Sequence, residues 1–263
     1  MAQVINTNLY TNSAQMFLNK NSSSLNNAIT RLSSGLRVNS SRDDAAGLAV
    51  ATRMEADSRG LTVAIRNASD GNSFGETADA ALDTVGNILQ RMRELTVQSL
   101  NGTISDTERG YLDKEYQQLN TQIKDLQDAA TLNNQKVFQS FSFQVGTTSS
   151  QTLTATFTSV AQVGGSVSTS GGASAAMGTI DDTLTSVANN RAVIGSVMSA
   201  LDFRITQLNA AKTNQDAARS RIMDADFAAE TANMSRAQIL QQSGTAMVAQ
   251  ANQIPQNVLT LLR

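Results

Sequence analysis

Apolar residues recur in steps of three and four over most of the chain, which is the spacing of one face of an α-helix. The longest run covers residues 180–212, with Arg191 as a polar interruption. A second run covers residues 112–130, and a shorter one covers residues 82–92. Arg191 either fixes the register of its helix or reaches solvent along its stem. Runs of this regularity predict long helices that pack in coiled-coil-like seams.

Both chain ends carry thinner apolar stripes, in which an apolar residue recurs every seven positions among Asn, Gln, Ser and Thr. Such charge-poor, amide-rich helices are marginal alone, because they bury little apolar surface. We therefore predict that the ends are disordered in the monomer and form a polymerisation interface. The predicted interface residues are Leu18, Leu25, Ile29, Leu32, Leu240, Met247, Ile254, Val258 and Leu261.

Three segments have the Ser/Thr-x-x-Asp/Glu pattern of a capping box, at residues 41–44, 105–108 and 179–182. In this pattern the hydroxyl accepts a bond from a free helix N–H, and the carboxylate reaches back to the start of the helix. The pattern predicts helix starts near residues 42, 106 and 180. Asp43 and Asp44 are therefore interpreted as cap residues rather than as a catalytic pair of carboxylates.

The middle of the chain differs, because residues 137–180 contain no charged side chain. Two alternating runs, at 141–145 and 153–157, flank a turn at 146–151 and predict a β-hairpin. Gly pairs at 164–165 and 171–172 then bracket what we predict to be a flexible Ser/Thr-rich loop.

These patterns together predict a mainly α fold: a long antiparallel coiled-coil-like helical bundle with one β-hairpin region. The N- and C-terminal helices are expected to pair at one end. A terminal helical domain would comprise residues 1–41 and 222–263, and a helical core domain residues 42–136 and 177–221. The hairpin and the uncharged loop, residues 137–176, would lie within the core domain.

Composition excludes several classes of enzyme. The 263 residues include no His and no Cys, so a His- or Cys-ligated metal site, a Ser-His-Asp triad and a Cys nucleophile are impossible. Carboxylate-only metal sites and Asp/Glu catalysis remain formally open. The net charge of -2, without a basic run, argues against nucleic acid as a partner.

Membrane insertion is not expected, because no stretch reaches the roughly 20 apolar residues of a membrane span. The first residues also lack the cationic and apolar regions of a cleavable signal peptide. If the protein leaves the cell, we expect a route that does not need one.

Three ordered blocks resemble bacterial flagellins. The first runs from the Arg-Leu-Ser-Ser-Gly-Leu-Arg segment at 31–37 into Asp-Asp-Ala-Ala-Gly-Leu-Ala at 43–49. The second pairs Arg-Asn-Ala-Ser-Asp-Gly at 66–71 with Gln-Arg-Met-Arg-Glu-Leu-Thr-Val-Gln at 90–98. The third includes Gln-Ile-Leu-Gln-Gln at 238–242, Ala-Gln-Ala-Asn-Gln at 249–253 and the final Asn-Val-Leu-Thr-Leu-Leu-Arg. The chain resembles a short flagellin that lacks the inserted outer domains, although Phe17 and Lys20 stand where flagellins are often more amide-rich.

The resemblance implies a structural, non-enzymatic subunit of the extracellular flagellar filament, which serves swimming motility and needs no cofactor. It further implies export in the unfolded state through the flagellar type III apparatus. The terminal helices would line an inner tube and the core domain would form an outer tube. The implied partners are other copies of the chain, the hook-associated junction and cap proteins, and an export chaperone at the C-terminal helix.

Flagellins of this type are also bound by the host's flagellin-sensing Toll-like receptor. On this similarity we expect an innate-receptor and inter-subunit patch made of Gln90, Arg91, Arg93, Glu94, Leu95, Gln98 and Glu115. The alternative for its charged members is solvated helix surface or salt bridges between subunits. Leu95 would be an exposed apolar side chain unless another chain covers it.

Other interpretations stay open from the sequence. A hook–filament junction protein shares the logic of the terminal helices, and a type III-secreted membrane translocator would also lack Cys and a signal peptide. The Ser and Thr residues of 140–174 are either O-glycosylated or part of an unmodified solvated loop.

Overall fold

The computed structural model describes the backbone of residues 8–261 and the side-chain packing of residues 8–253. The helices are α1 (Leu9–Ser34), α2 (Ala45–Leu100), α3 (Asp106–Ala129), α4 (Ser170–Met223) and α5 (Phe227–Leu261). The strands are β1 (Thr131–Leu132), β2 (Gln135–Lys136), β3 (Ser140–Gln144) and β4 (Thr152–Thr156). The predicted mainly α fold with paired long helices is confirmed.

The chain divides into two compact units, Met1–Ala56 with Asn214–Arg263, and Asp57–Thr213. The first is the terminal unit and the second is the central unit. The predicted domain borders near residues 41 and 222 stay a prediction.

In the central unit, α2 and α4 pack antiparallel. Arg191 donates from Nε and Nη2 to Asp79, at 2.8 and 3.2 Å, and from Nη1 to Asp83 at 2.8 Å. Further along the pair, the Asn72 amide donates to Asp202 at 2.7 Å. Arg191 therefore links the two helices at one register. The carboxylates of Asp79 and Asp83 raise the pKa of Arg191, with Asp79 as the main cause.

The core of the central unit is mostly aliphatic, with Tyr116 and Phe157 as its fully buried aromatic side chains. Its fully buried side chains include Leu82, Val85, Leu89, Met92, Tyr116, Ile123, Ile180 and Ile194 of α2, α3 and α4. Val137, Ala155 and Phe157, from the segment between α3 and α4, are also fully buried in it. The heptad positions read from the sequence therefore form this core.

A ladder of side chains on α3 holds the segment 157–169, here called the strap. Asp113, Asn120 and Gln127 are seven residues apart, and their side-chain oxygens accept the backbone N–H of Val167, Val163 and Val160 at 2.7, 2.9 and 2.6 Å. These three valines are buried. The prediction of a flexible loop here was wrong, because the valines anchor the strap to the core.

The β3–β4 hairpin is confirmed, with Phe141 opposite Ala155 and Phe143 opposite Leu153. Phe74 of α2 packs against Phe141, with ring centroids 4.6 Å apart. The β1–β2 hairpin was not predicted. Asn133 and Asn134 form its turn with φ of 50° and 61°, a left-handed conformation that Asn tolerates.

One of the three predicted capping boxes is confirmed. Ser105 caps α3 and exchanges hydrogen bonds with Glu108, and these bonds lower the pKa of the Glu108 carboxyl. The box at 41–44 was wrong, since α2 begins at Ala45 and Asp44 accepts from the N–H of Gly47 at 2.8 Å. The box at 179–182 was also wrong. Helix α4 begins at Ser170, because the Thr169 hydroxyl accepts the N–H of Gly172 at 3.1 Å.

In the terminal unit, the segment after α1 turns back toward the junction of α4 and α5. Gly35 ends α1 with a φ of 71°, which favours glycine. Its carbonyl accepts the N–H of Ala225 at 3.0 Å, and the N–H of Arg37 donates to Met223 at 2.6 Å. Val38 is buried against Ala51 and Met223, which closes a small second core.

Candidate functional site

The helix pair α1–α5 is the first candidate site, because its sequence pattern predicts assembly. Hydrogen bonds join the two helices along their length. Asn8 donates to the carbonyl of Ala251 at 2.9 Å, and Asn21 donates to that of Ala237 at 2.7 Å. Gly244 lets the helices approach closely, since a Cβ there would lie 3.0 Å from Leu18 Cδ1.

An ion pair also joins these two helices. Arg31 Nη1 lies 2.9 Å from Glu230 Oε1, and the Glu230 side chain is only 11% exposed. Breaking a pair with one buried partner is costly, because the remaining charge is left unpaired. Arg31 and Glu230 therefore fix the register of α1 against α5.

An apolar groove of about 760 Å³ runs along the pair. Its apolar lining comes from Tyr10, Ala14, Phe17, Leu18, Leu240, Met247 and Ala251, and among the described side chains Lys20 is its one charged member. Phe17 is 71% exposed, and Met247 is 64% exposed. Apolar surfaces of this size are typical of protein interaction sites.

The structure separates the predicted interface residues into three groups. Leu18, Leu25 and Leu32 are half-buried, whereas Ile29, Leu240 and Met247 are exposed. The side chains of Ile254, Val258 and Leu261 lie outside the described residues.

Several exposed apolar side chains of this pair were missed from the sequence. They are Leu9, Tyr10, Met16, Phe17, Phe227 and Ile239. A seven-residue spacing selects one stripe of a helix, and these residues lie off that stripe. Of these residues, only Phe17 stood out in the sequence, because it occupies a position where flagellins are often more amide-rich.

The second candidate site is the charged face of α2 and α3 in the central unit. Arg91 lies 2.9 Å from Glu94 and 3.0 Å from Glu115, and these two carboxylates raise its pKa. Arg93 lies 2.8 Å from Asp181 of α4. Gln90 and Gln98 are exposed beside them. The structure therefore brings the predicted charged and amide residues onto one exposed surface, and its ion pairs form within a single copy of the chain.

Leu95 does not belong to this surface. It is 1% exposed and lies in the core with Leu89 and Met92, which corrects the prediction of an exposed apolar residue. The sequence could have predicted this burial, because Leu95 follows Met92 by three positions and so continues the apolar stripe of residues 82–92. The exposed apolar residue is Val97, 51% exposed, which lines a shallow depression with Gln90, Arg93, Glu94 and Gln98.

Among the described residues, no three carboxylate side chains come together as a metal site. No helix in residues 8–261 is both long and apolar enough to cross a membrane.

Comparison with known families identifies both helical regions. The pattern of the bacterial flagellin N-terminal helical region matches residues 5–142, and that of the C-terminal helical region matches residues 177–262. The chain belongs to the bacterial flagellins.

The relatives are similar over their whole length. The chain is 40% identical to a flagellin of Halalkalibacterium halodurans, over 99% of this chain and 100% of that one. It is 36% identical to the flagellar filament 33 kDa core protein of Treponema phagedenis, over 99% and 100% of the two chains. The crystal structure of Bacillus cereus flagellin is 27% identical, with a TM-score of 0.50, and covers 59% of this chain and 94% of that one.

The protein is therefore a flagellin, a structural and non-enzymatic subunit of the extracellular flagellar filament. Self-polymerisation into the filament follows from the family. The sequence had left a junction protein and a membrane translocator open as alternatives. The full-length similarity to flagellins favours a flagellin over both.

Proposed function

We propose that the α1–α5 pair is the surface through which this flagellin polymerises, with the apolar groove covered by a second copy of the chain. The exposure of Phe17, Leu240 and Met247 around the groove supports this proposal. Burying a large apolar side chain contributes roughly 1.5–3 kcal/mol. Several such residues per subunit offset the entropy that ordering the helix ends costs.

The half-buried leucines act differently from the exposed residues. Leu18, Leu25 and Leu32 hold α1 against α5 within one copy, and Ile29, Leu240 and Met247 face a neighbour. Ile254, Val258 and Leu261 continue the stripe and stay part of the proposed interface. The terminal helices, residues 1–41 and 222–263, are proposed to order fully only on assembly.

The experiment is seeded polymerisation of Leu240→Ser monomers, followed by sedimentation. We expect at least a tenfold slower growth, because the groove loses an apolar contact between subunits. The Arg31–Glu230 pair and the helix pairing within one copy are untouched, so circular dichroism of the monomer should match wild type. Ser149→Asp, in the exposed β3–β4 turn, is the control and should polymerise normally. Wild-type growth of Leu240→Ser would contradict the proposal.

We further propose that the exposed face at Gln90, Arg91, Arg93, Glu94, Gln98 and Glu115 is the surface available to the host's flagellin-sensing Toll-like receptor. Buried Leu95 supports this face from beneath rather than touching a partner. Arg91→Ala removes the two ion pairs that Arg91 forms with Glu94 and Glu115. It should weaken binding to the receptor ectodomain about tenfold or more, measured by surface plasmon resonance. Arg66→Ala, an exposed arginine on the same helix, is the matched control. Equal affinity of the two variants would contradict the proposal.

The remaining partners are proposed on family resemblance. They are an export chaperone at the C-terminal helix and the hook-associated junction and cap proteins at the ends of the filament. The charge-poor apolar stripe of α5 supports a chaperone there. Before export this stripe is not packed against another helix, and a bound chaperone would shield it from water. Co-purification of the chaperone with the full chain, and its loss when residues 240–263 are removed, would test this partner.

A further inference from the structure

Methionine is the most easily oxidised side chain that this flagellin contains. The sequence has nine Met but no Cys, Trp or His. A thioether accepts an oxygen atom from peroxides, which converts a flexible apolar side chain into a polar one. An extracellular protein of this composition takes oxidative damage first at its exposed thioethers.

Exposure singles out two of these methionines. Within residues 8–253, Met16 is 74% exposed and Met247 is 64% exposed, and both lie in the α1–α5 pair. The other methionines of this range are Met54, Met92, Met177, Met198, Met223 and Met234, and all are buried or half-buried. Met92, in the central core, is 0% exposed.

Met247 lies in the apolar groove itself. Phe17, Leu18 and Leu240 line the groove beside it, and Met16 lies outside the groove on another face of α1. A sulfoxide oxygen is a strong hydrogen-bond acceptor, and moving it from water into a mostly apolar contact costs free energy, although polar side chains such as Lys20 and Gln250 also line the groove. Oxidation at Met247 would therefore oppose burial of the groove, while oxidation at Met16 would leave the groove apolar.

We propose that Met247 is a reversible oxidation site that blocks polymerisation of this flagellin when it carries a sulfoxide. A peroxide transfers one oxygen atom to the sulfur: the O–O bond breaks, the S–O bond forms, and hydrogen peroxide leaves as water. The sulfur is oxidised by two electrons and the peroxide is reduced. Two thiols reverse the step through methionine sulfoxide reductase, yielding a disulfide and water.

The inference rests on the proposed burial of the groove between subunits. It follows that Met247 reacts in the monomer and is protected in the filament. Oxidised subunits are excluded from growth, and filaments that have already formed stay intact.

The test treats full-length monomers with hydrogen peroxide and measures sulfoxide by peptide mass spectrometry, with buried Met92 as the internal reference. We expect Met247 to oxidise at least tenfold faster than Met92. Seeded polymerisation of the oxidised monomers should slow about tenfold or more, and methionine sulfoxide reductases A and B with a thiol should restore it.

Variants assign the effect to one residue. Met247→Leu should polymerise at the same rate before and after peroxide treatment, whereas peroxide should slow Met16→Leu as it slows wild type. Met247→Gln, a neutral polar replacement, should polymerise slowly without any oxidant. Equal inhibition of Met247→Leu and wild type by peroxide would overturn the proposal, as would normal growth of fully oxidised wild type.

The Leu240→Ser experiment separates this inference from the proposed interface. Slow growth of Leu240→Ser together with normal growth of oxidised wild type would leave the groove as an interface and remove the switch. Normal growth of Leu240→Ser would remove the interface itself.

Discussion

Tyr116 carries a buried hydroxyl that finds no hydrogen-bond partner among the described residues. Its ring is 0% exposed in the core of the central unit. Burial, with a smaller contribution from the negative charge of Asp113, raises its pKa to about 12. The neutral form is therefore favoured in the folded protein, and the hydroxyl itself adds nothing to the core that a phenyl ring would not.

Tyr116→Phe is expected to leave the free energy of unfolding unchanged or to raise it by up to about 1 kcal/mol at pH 7. A raised pKa means that the stabilisation is complete below pH 10, the ordinary pKa of Tyr, and is lost as the pH rises toward 12. The variant should lack this alkaline loss. Urea unfolding at pH 7 and pH 11 measures both effects.

Tyr111→Phe is the matched control, because Tyr111 is 64% exposed on the same helix. It should behave as wild type at both pH values. A destabilised Tyr116→Phe at pH 7 would show that the hydroxyl has a partner, such as an ordered water.

At the scale of elements, the α3 ladder explains why the uncharged middle of the chain is ordered. Gln127 is buried, accepts from the N–H of Val160 at 2.6 Å and donates to its carbonyl at 3.0 Å. Asn120 and Asp113 repeat the contact further along the strap. One side chain per two turns of helix thus replaces the strand pairing that the strap lacks.

Gln127→Ala should reduce the free energy of unfolding by about 3 kcal/mol, because it leaves two buried backbone groups of Val160 without a partner. Amide hydrogen exchange should also accelerate at Val160 before it accelerates in α3. Gln118→Ala, an exposed glutamine on the same helix, should change neither quantity. Equal exchange at Val160 in both variants would show that the valines alone hold the strap.

The sequence predicted these elements unevenly, for physical reasons. The heptads of α2, α3 and α4 were visible because each helix buries a continuous stripe, and the Ser105 box was visible because its contacts are local. Thr179 carries the same box pattern, yet α4 continues through it, since burial of Ala173, Ala176 and Ile180 extends the helix toward its N-terminus. A cap pattern permits a helix start, and tertiary packing decides whether the start is used.

At the scale of the whole molecule, the central unit has its own core and does not depend on the chain ends for its buried side chains. We expect that removing residues 240–263 leaves a folded monomer. Polymerisation should be lost, because the truncation removes Leu240, Met247 and the remaining stripe of α5. Analytical ultracentrifugation and circular dichroism measure the two properties.

The full chain under the same conditions is the reference and should sediment as filaments after seeding. A truncated form that still makes filaments would place the assembly surface outside residues 240–263. A truncated form that loses its helical signal beyond the deleted length would show that α5 is needed for the fold of the rest.

The candidate site was predictable in outline only. Leu240 and Met247 were found because a seven-residue spacing marks one stripe of a helix. Phe17 and Ile239 were missed, because their exposure depends on how α1 and α5 pack together. Leu95 was predicted to be exposed and is buried, whereas Val97 is exposed. Two apolar residues two positions apart lie on opposite sides of a helix, and only the neighbouring helices decide which side faces the core.

By itself, the sequence determined the helical periodicity, the absence of His and Cys chemistry, and membership of the flagellins through its three ordered blocks. Each of these is a property of residue type and spacing along the chain. Tertiary structure alone decided where α2 and α4 begin, how the strap attaches to α3, and which apolar residues of α1 and α5 stay exposed. Those outcomes depend on contacts between residues far apart in sequence, which no local pattern contains.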